Sequence, residues 1–238
     1  TSAVCVTGLI AIDTADTFNV LGQVIVAALI QFGGLGVASV GVSFILLAHK
    51  TVNIKDRILV KEALGLDSVK GIVKLVKAIL IMTLGFEAIG AILSFLVFIK
   101  DYPFMKAFGM SVFHSIAAFN NSGFDIIGGY QNLIPYQSNV VLNLVTSGLI
   151  IFGGLGFVVI KETIYKRSFR KVSLHSKIAI SMSIILLVVG TLLLKATEGI
   201  TWLGAFFFST SARTAGFSTY PVGSFTNTGL FVLIILLF

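Results

Sequence analysis

Charge is scarce in this chain. Asp, Glu, Lys and Arg make up 11% of its 238 residues, against 56% hydrophobic, and the mean hydropathy is +1.03. A soluble domain carries about twice that charged fraction, so a soluble globular domain is excluded as a starting point. Cysteine occurs once, at Cys5, which excludes an internal disulfide framework. The alternation that marks a transmembrane β-barrel is missing, and nothing resembles a cleavable signal peptide. No nucleophile–base pair and no phosphate-cradling glycine loop is visible, so the chain does not read as an enzyme. His49, His114 and His175 form no cluster with metal-ligand spacing. With no initiator Met, a motif already open at Thr1 and an apolar run still open at Phe238, the chain is expected to be a fragment cut at both ends.

What is present is a series of apolar runs, several of them long enough for the roughly 20 helical residues that cross a bilayer core. The fold class is therefore an all-α polytopic membrane protein. Spanning segments are expected at 20–48, 72–99, 139–160 and 178–195, with a fifth beginning at 228. The formal charge of +7 comes from an uneven distribution: thirteen of the seventeen Lys and Arg fall in two places. Lys50, Lys55, Arg57, Lys61, Lys70, Lys74 and Lys77 lie in and beside the connection 49–71, and Lys161, Lys166, Arg167, Arg170, Lys171 and Lys177 lie in 161–177. Short Lys/Arg-rich loops stay cytoplasmic, and contact with anionic membrane lipid accounts for the rest; nucleic-acid binding is not needed. In the first connection Ile54, Ile58, Leu59, Ala63 and Leu66 fall at helical spacing with Lys55, Arg57, Lys61 and Glu62 between them. That pattern predicts an amphipathic helix lying on the inner interface or docking on a cytoplasmic partner.

A short glycine loop occurs three times: Val6-Thr7-Gly8-Leu9, Asn121-Ser122-Gly123-Phe124 and Thr214-Ala215-Gly216-Phe217. The second and third follow apolar stretches too short to span, at 104–119 and 201–213, with Pro103 suited to the first helix start. Phe113 and Phe206 each lie ten residues before their loop glycine. A polar linker and an apolar run follow every loop. Two of those runs contain the same pentapeptide, Phe32-Gly33-Gly34-Leu35-Gly36 and Phe152-Gly153-Gly154-Leu155-Gly156. Together these mark an internal repeat of the form span, short helix, loop, span. The chain divides into 1–48 (end of a first unit), 49–71 (cytoplasmic connection), 72–160 (second unit), 161–177 (cytoplasmic connection) and 178–238 (third unit, truncated). The basic connections place the three loops on the outer half of the membrane.

Non-helical backbone at membrane depth survives only where it lines water or is buried in protein. A loop returning from the C-terminal end of a short helix can offer carbonyl oxygens in place of a cation's hydration shell, in the field of the helix's negative end. No Asp or Glu precedes the glycines, so backbone selection fits better than a carboxylate ring and favours potassium over calcium. Glu87 lies mid-span, where a carboxylate should face protein or water; it reads either as an ion-coupling site or as structural support behind a loop. Asp125 reads equally as a cation attractor or a turn cap. Arg213 is expected to brace the third loop by bonding carbonyls or Asp125. His114 is expected to be packed and hydrogen-bonded, and Cys5 to be a small apolar packer.

These motifs, in this order over essentially the whole chain, resemble the membrane subunit of the Trk/Ktr/HKT potassium-transport superfamily, most of all the bacterial Ktr-type sodium-linked uptake proteins. The residues that carry the resemblance are Thr1 to Leu9, Phe32 to Gly36, Phe113-His114-Ser115, Ala118 to Asp125, and Arg213 to Phe217. The resemblance implies four span–pore helix–span units with a potassium-channel-like pseudo-fourfold arrangement, of which about two and a half are present here. It implies potassium coordination at Val6, Thr7, Gly8, Asn121, Ser122, Gly123, Thr214, Ala215 and Gly216, with support from Glu87, Asn120, Asp125 and Arg213. Glycine rather than serine at Gly8 resembles the potassium-selective type. A homodimer, a cytoplasmic nucleotide-binding regulatory ring, potassium as the transported ion with sodium as an accompanying one, and a multi-pass plasma-membrane location are implied with it. The fourth filter unit and the glycine-rich intramembrane gate fall outside the sequence.

Overall fold

Helix ends in this chain are written by local side chains. Ser, Thr, Asn and Asp accept hydrogen bonds from the orphan amides of a first helical turn, and such a residue stands before most of the helices. A computed structural model describes residues 1–36, 40–42, 54–63 and 71–237, and among these no strand occurs. After the short turns α1 (Ser2–Cys5) and α2 (Thr14–Thr17, capped by Asp13) comes α3 (Val20–Leu35), whose Asn19 cap accepts from Gly22 N. The helix α4 (Ile54–Ala63) is followed by α5 (Ile72–Phe98) and, after Pro103, by α6 (Phe104–Phe119). Asn139 caps α7 (Val140–Leu155) as Asn19 caps α3. The remaining helices are α8 (Phe157–Lys166), α9 (Leu174–Thr197, capped by Ser173), α10 (Trp202–Ser211, capped by Thr201) and α11 (Asn227–Leu237).

Among the described residues α5 and α9 are long and apolar enough to cross a membrane, and the α7–α8 pair makes a third candidate if the two count together. The stretch 139–160, expected as one span, is not one straight helix: α7 and α8 meet at a 97° bend. Gly156 makes that bend at φ 84, ψ 144, and Gly36 ends α3 with nearly the same backbone, φ 79, ψ 135. Positive φ with extended ψ is open to glycine alone. The third glycine of the repeated pentapeptide therefore encodes a helix stop in both copies. Most of 37–53, and Leu66 with the end of the first basic connection, lie outside the described residues. Among the described side chains of α4, Val60 is fully buried, whereas Ile54, Ile58 and Leu59 of the predicted apolar stripe are exposed, as a stripe that meets lipid or a partner would be.

The core forms around α6. Phe113, Ala117, Ala118 and Phe119 are buried there among Phe98, Leu142, Ile150 and Phe207. A second cluster joins α9, α10 and α11 through Leu194, Phe208, Phe225 and Leu236. The outer faces stay apolar, with Ile81, Leu84 and Ile92 on α5 and Ile185, Val188 and Leu192 on α9 exposed, as a lipid-facing surface requires.

Two helix crossings repeat closely. A Cβ at Gly90 of α5 would lie 2.5 Å from Ser115 Oγ of α6, and a Cβ at Gly190 of α9 would lie 2.5 Å from Ser209 Oγ of α10. Each serine hydroxyl donates to a span carbonyl, Ser115 to Glu87 O at 2.7 Å and Ser209 to Leu187 O at 3.0 Å. Ser115 and Ser209 are thus equivalent, which pairs Phe113 with the fully buried Phe207 and not with Phe206. The third loop is one residue shorter than the second between serine and glycine.

The first two glycines of the pentapeptide hold the helices against the loops. A Cβ at Gly33 would lie 2.0 Å from Val4 O, and one at Gly153 would lie 1.8 Å from Phe119 O. Both are backbone atoms at the end of the segment that enters a glycine loop, and neither can move aside cheaply. Gly153→Ala is expected to destabilise the fold by about 1–3 kcal/mol, the usual cost of overpacking. The measurement is the thermal midpoint of the purified full-length protein in detergent; an unchanged midpoint refutes the contact.

Candidate functional site

The three loop glycines share one backbone conformation, with φ +69 at Gly8, +70 at Gly123 and +75 at Gly216. They also meet in space. A Cβ at Gly8 would lie 2.7 Å from Ser122 O, and a Cβ at Gly123 would lie 2.5 Å from Ala215 O and 3.4 Å from Gly216 Cα. Each of the first two glycines therefore faces the carbonyl just before the next glycine, in chain order. Tertiary structure thus brings Gly8, Ser122, Gly123, Ala215 and Gly216 together.

The amides of these loops turn back into their own helices. Thr7 N donates to Ser2 O at 3.2 Å and Ser122 N to Ala117 O at 2.9 Å, both spanning five residues, while Ala215 N and Gly216 N donate to Ser211 O at 2.8 and 3.1 Å. Val6 and Asn121, each two residues before its glycine, take positive φ of 53 and 55, which the shorter third loop does without. With the donors used, the carbonyls of Val6, Thr7, Asn121, Ser122, Thr214 and Ala215 accept no hydrogen bond among the described residues. Acceptors without donors, at the C-terminal ends of α6 and α10 where partial negative charge collects, suit a cation and repel an anion.

Asn120 anchors the second loop. Its Nδ2 donates to Glu87 Oε1 at 3.2 Å, Gln31 Oε1 at 3.0 Å and Ile116 O at 2.9 Å. It thereby joins α3, α5 and α6, and it fills the space above Gly34, where a Cβ would lie 1.9 Å from Asn120 Oδ1. Glu87 is buried against this amide.

Of the two partners expected for Arg213, carbonyls or Asp125, it takes a carbonyl. Its guanidinium donates to Ser183 O at 3.4 Å and Ser183 Oγ at 3.2 Å on α9. The loop equivalence explains this: one residue fewer before Gly216 leaves Arg213 where Phe119 stands in the second loop, beside the neighbouring span. Asp125 accepts from Ile127 N at 3.1 Å, the turn-capping geometry. Burial pushes its carboxyl above the usual range, Ile127 N–H opposes that rise, and Asp13 adds to it.

Sequence reasoning missed the residues that stitch the linkers above the loops. Asp13 Oδ2 accepts from Tyr130 N at 2.7 Å, and Asp16 Oδ2 from Gly129 N at 3.1 Å. Asn132 donates to Gly123 O at 3.3 Å and accepts from Ser218 N at 3.0 Å, beside a Leu133 N to Ser218 O bond at 3.0 Å. In the sequence these are ordinary polar linker residues, and nothing distinguishes them. His114 is packed as expected: Thr146 Oγ1 gives its proton to Leu142 O at 2.7 Å, so it accepts from His114 Nε2 at 2.8 Å. Cys5, expected to be packed, is exposed; Ala3 is the buried residue of that turn. No cluster of metal-ligating side chains occurs among the described residues.

Apolar helices of membrane length around converging carbonyl-bearing loops define a polytopic α-helical membrane protein. The chain belongs to the TrkH family of cation transport proteins, whose family model matches residues 1–188. It is 37% identical over 249 residues to the potassium/sodium uptake protein NtpJ of Enterococcus hirae, aligning all of this chain with 55% of that protein. It is 33% identical to Ktr system potassium uptake protein B of Vibrio alginolyticus and 32% identical to that of Bacillus subtilis, covering 55% and 56% of them. The chain thus spans about half the length of the curated relatives it matches. The crystal structure of the potassium transporter TrkH from Vibrio parahaemolyticus shares the fold, with a TM-score of 0.70, 19% identity, and coverage of 99% of this chain and 46% of that one. The family is one of transporters, not enzymes.

Proposed function

We propose that the chain forms three walls of a potassium filter in a plasma-membrane uptake protein, selecting the ion by backbone carbonyls at Val6 to Gly8, Asn121 to Gly123 and Thr214 to Gly216. The observation that carries this reading is the contact of three glycines in one conformation, whose neighbouring carbonyls have no protein donor among the described residues. The uptake functions named for the relatives point the same way. A fourth wall, supplied by the remainder of the protein, fits the cleft of about 540 Å³ that runs from Thr7 past Thr214 and Gly216 to Leu233 on α11. The loops face outward, and the basic connections 49–71 and 161–177 face the cytoplasm, where a nucleotide-binding regulatory ring docks on a homodimer of the full-length protein. Potassium is the transported ion, with sodium as an accompanying one. The filter reading is tested by glycine substitution, argued in the Discussion.

The alternative is a secondary symporter coupled through Glu87, which is favoured by that carboxylate's burial in α5. Its bond from Asn120 supports the structural role instead. Under the filter reading Glu87→Gln keeps potassium uptake within about twofold, because a glutamine oxygen still accepts from Asn120. Asn120→Leu lowers uptake about tenfold, because it leaves buried acceptors on Glu87 and Gln31 unpaired at about 1–3 kcal/mol. Both are read as initial uptake rates normalised to membrane protein. Loss of uptake in Glu87→Gln with assembly intact puts coupling through Glu87 in the lead.

A further inference from the structure

We infer that the side chain of Asn121 is a positioning residue that sets the spacing between the second and third loops, acting through the hydroxyl of Thr214. This deepens the proposed filter and rests on that reading. The Asn121 amide pairs at both ends in one orientation. Its nitrogen then donates to Ile150 O and Ala118 O, each at 3.2 Å, and its oxygen accepts from Gly154 N and Thr214 Oγ1, each at 3.3 Å. These partners lie on three pieces of chain. Ala118 is in the last turn of α6, Ile150 and Gly154 are in α7, and Thr214 opens the third loop. Gly154 leaves room for the arrangement, since a Cβ there would lie 3.1 Å from the same end of the Asn121 amide, its oxygen in this orientation, and 3.7 Å from Thr214 Oγ1.

The position of this tie gives it leverage over the ion path. It lies two residues before Gly123 on one loop and two before Gly216 on the next, where a Cβ at Gly123 would be only 2.5 Å from Ala215 O. The two walls are already at contact, so their separation depends on what holds them together from behind. Carbonyl selection responds to the size and number of the oxygens presented to an ion. A slackened tie therefore moves the preference between ions before it moves the total amount of folded protein. Asn120 and Asn121 then divide the work: the first fastens the second loop to α3 and α5, the second to α7 and the third loop. An amide is needed because it supplies two donors and two acceptor sites, whereas a carboxylate would set an oxygen against the Ile150 and Ala118 carbonyls.

The test is potassium and sodium uptake by the full-length protein in cells lacking other potassium uptake, with half-saturation constants measured for each ion. Thr214→Val and Asn121→Ala are each expected to reduce the potassium-over-sodium preference by about three- to tenfold, the range one net hydrogen bond spans. The double variant falls no lower than the worse single, because both changes remove the same bond. Thr214→Ser, which keeps the hydroxyl, loses less than Thr214→Val. Multiplying effects in the double variant, or equal losses in Thr214→Ser and Thr214→Val, overturn the tie. If Asn121→Ala fails to assemble, the two Thr214 variants still decide, since they touch a single bond at an exposed residue. Unchanged preference in Gly8→Ser removes the filter itself; a changed preference there with equal Thr214 variants removes the tie alone.

Discussion

Gly123→Ala in the full-length protein is expected to reduce potassium uptake by more than tenfold while the protein still reaches the membrane. Two costs act together. The residue sits at φ +70, a region that costs an L-residue about 1–2 kcal/mol. The added Cβ would also stand 2.5 Å from Ala215 O, and a backbone carbonyl cannot rotate away without dragging its loop. Relief comes from separating the second loop from the third, which displaces the carbonyls the ion would meet. Because a shift of 1.4 kcal/mol is about tenfold in an equilibrium, the combined cost is enough to empty the site of its working geometry. The check is rubidium or potassium influx together with immunoblot quantification of membranes. Normal influx at normal abundance contradicts the placement of Gly123 in the ion path.

Gly8→Ser should act on selectivity more than on abundance. A Cβ at Gly8 would lie 2.7 Å from Ser122 O, and its φ is +69, so the first and second loops must also part slightly. The new hydroxyl can donate to the carbonyl it displaces, which softens the clash and leaves a wider, partly occupied ring. The expected outcome is a potassium-over-sodium preference lowered by about tenfold or more, with expression retained. Competition of sodium against labelled potassium measures it. An unchanged ratio defeats the filter assignment.

Much of this was legible in order along the chain because the signals are local. Apolar runs mark α5 at Ile72–Phe98, α6 at Phe104–Phe119 after Pro103, and α10 at Trp202–Ser211 after its Thr201 cap, close to where the sequence predicts helices. The repeated Phe-Gly-Gly-Leu-Gly pentapeptide could be recognised as a repeat, but its purpose could not. Its glycines answer to Val4 O, Phe119 O, Asn120 and Asn121, which lie far from them in sequence. Which carbonyl Arg213 bonds was out of reach for the same reason. Its contact with Ser183 depends on the third loop being one residue shorter, and that becomes visible only once Ser115 and Ser209 are superposed by their crossings with Gly90 and Gly190.

By itself the sequence determined an α-helical membrane protein, with thirteen of seventeen cations gathered in and beside two connections and a glycine loop repeated three times. Those properties follow from composition, short-range periodicity and charge counting, all of which are read within a window of about 20 residues. Tertiary structure alone decided that the three glycines meet, that the two carbonyls before each of them lack protein donors among the described residues, that Asn120, Asn121 and Asn132 hold the loops together, and that the chain bends by 97° after α7. Each of these joins residues tens of positions apart, through close approach that glycine permits and amide side chains complete. No local pattern specifies such pairings, because many polar linkers would read the same until packing selects one partner for each.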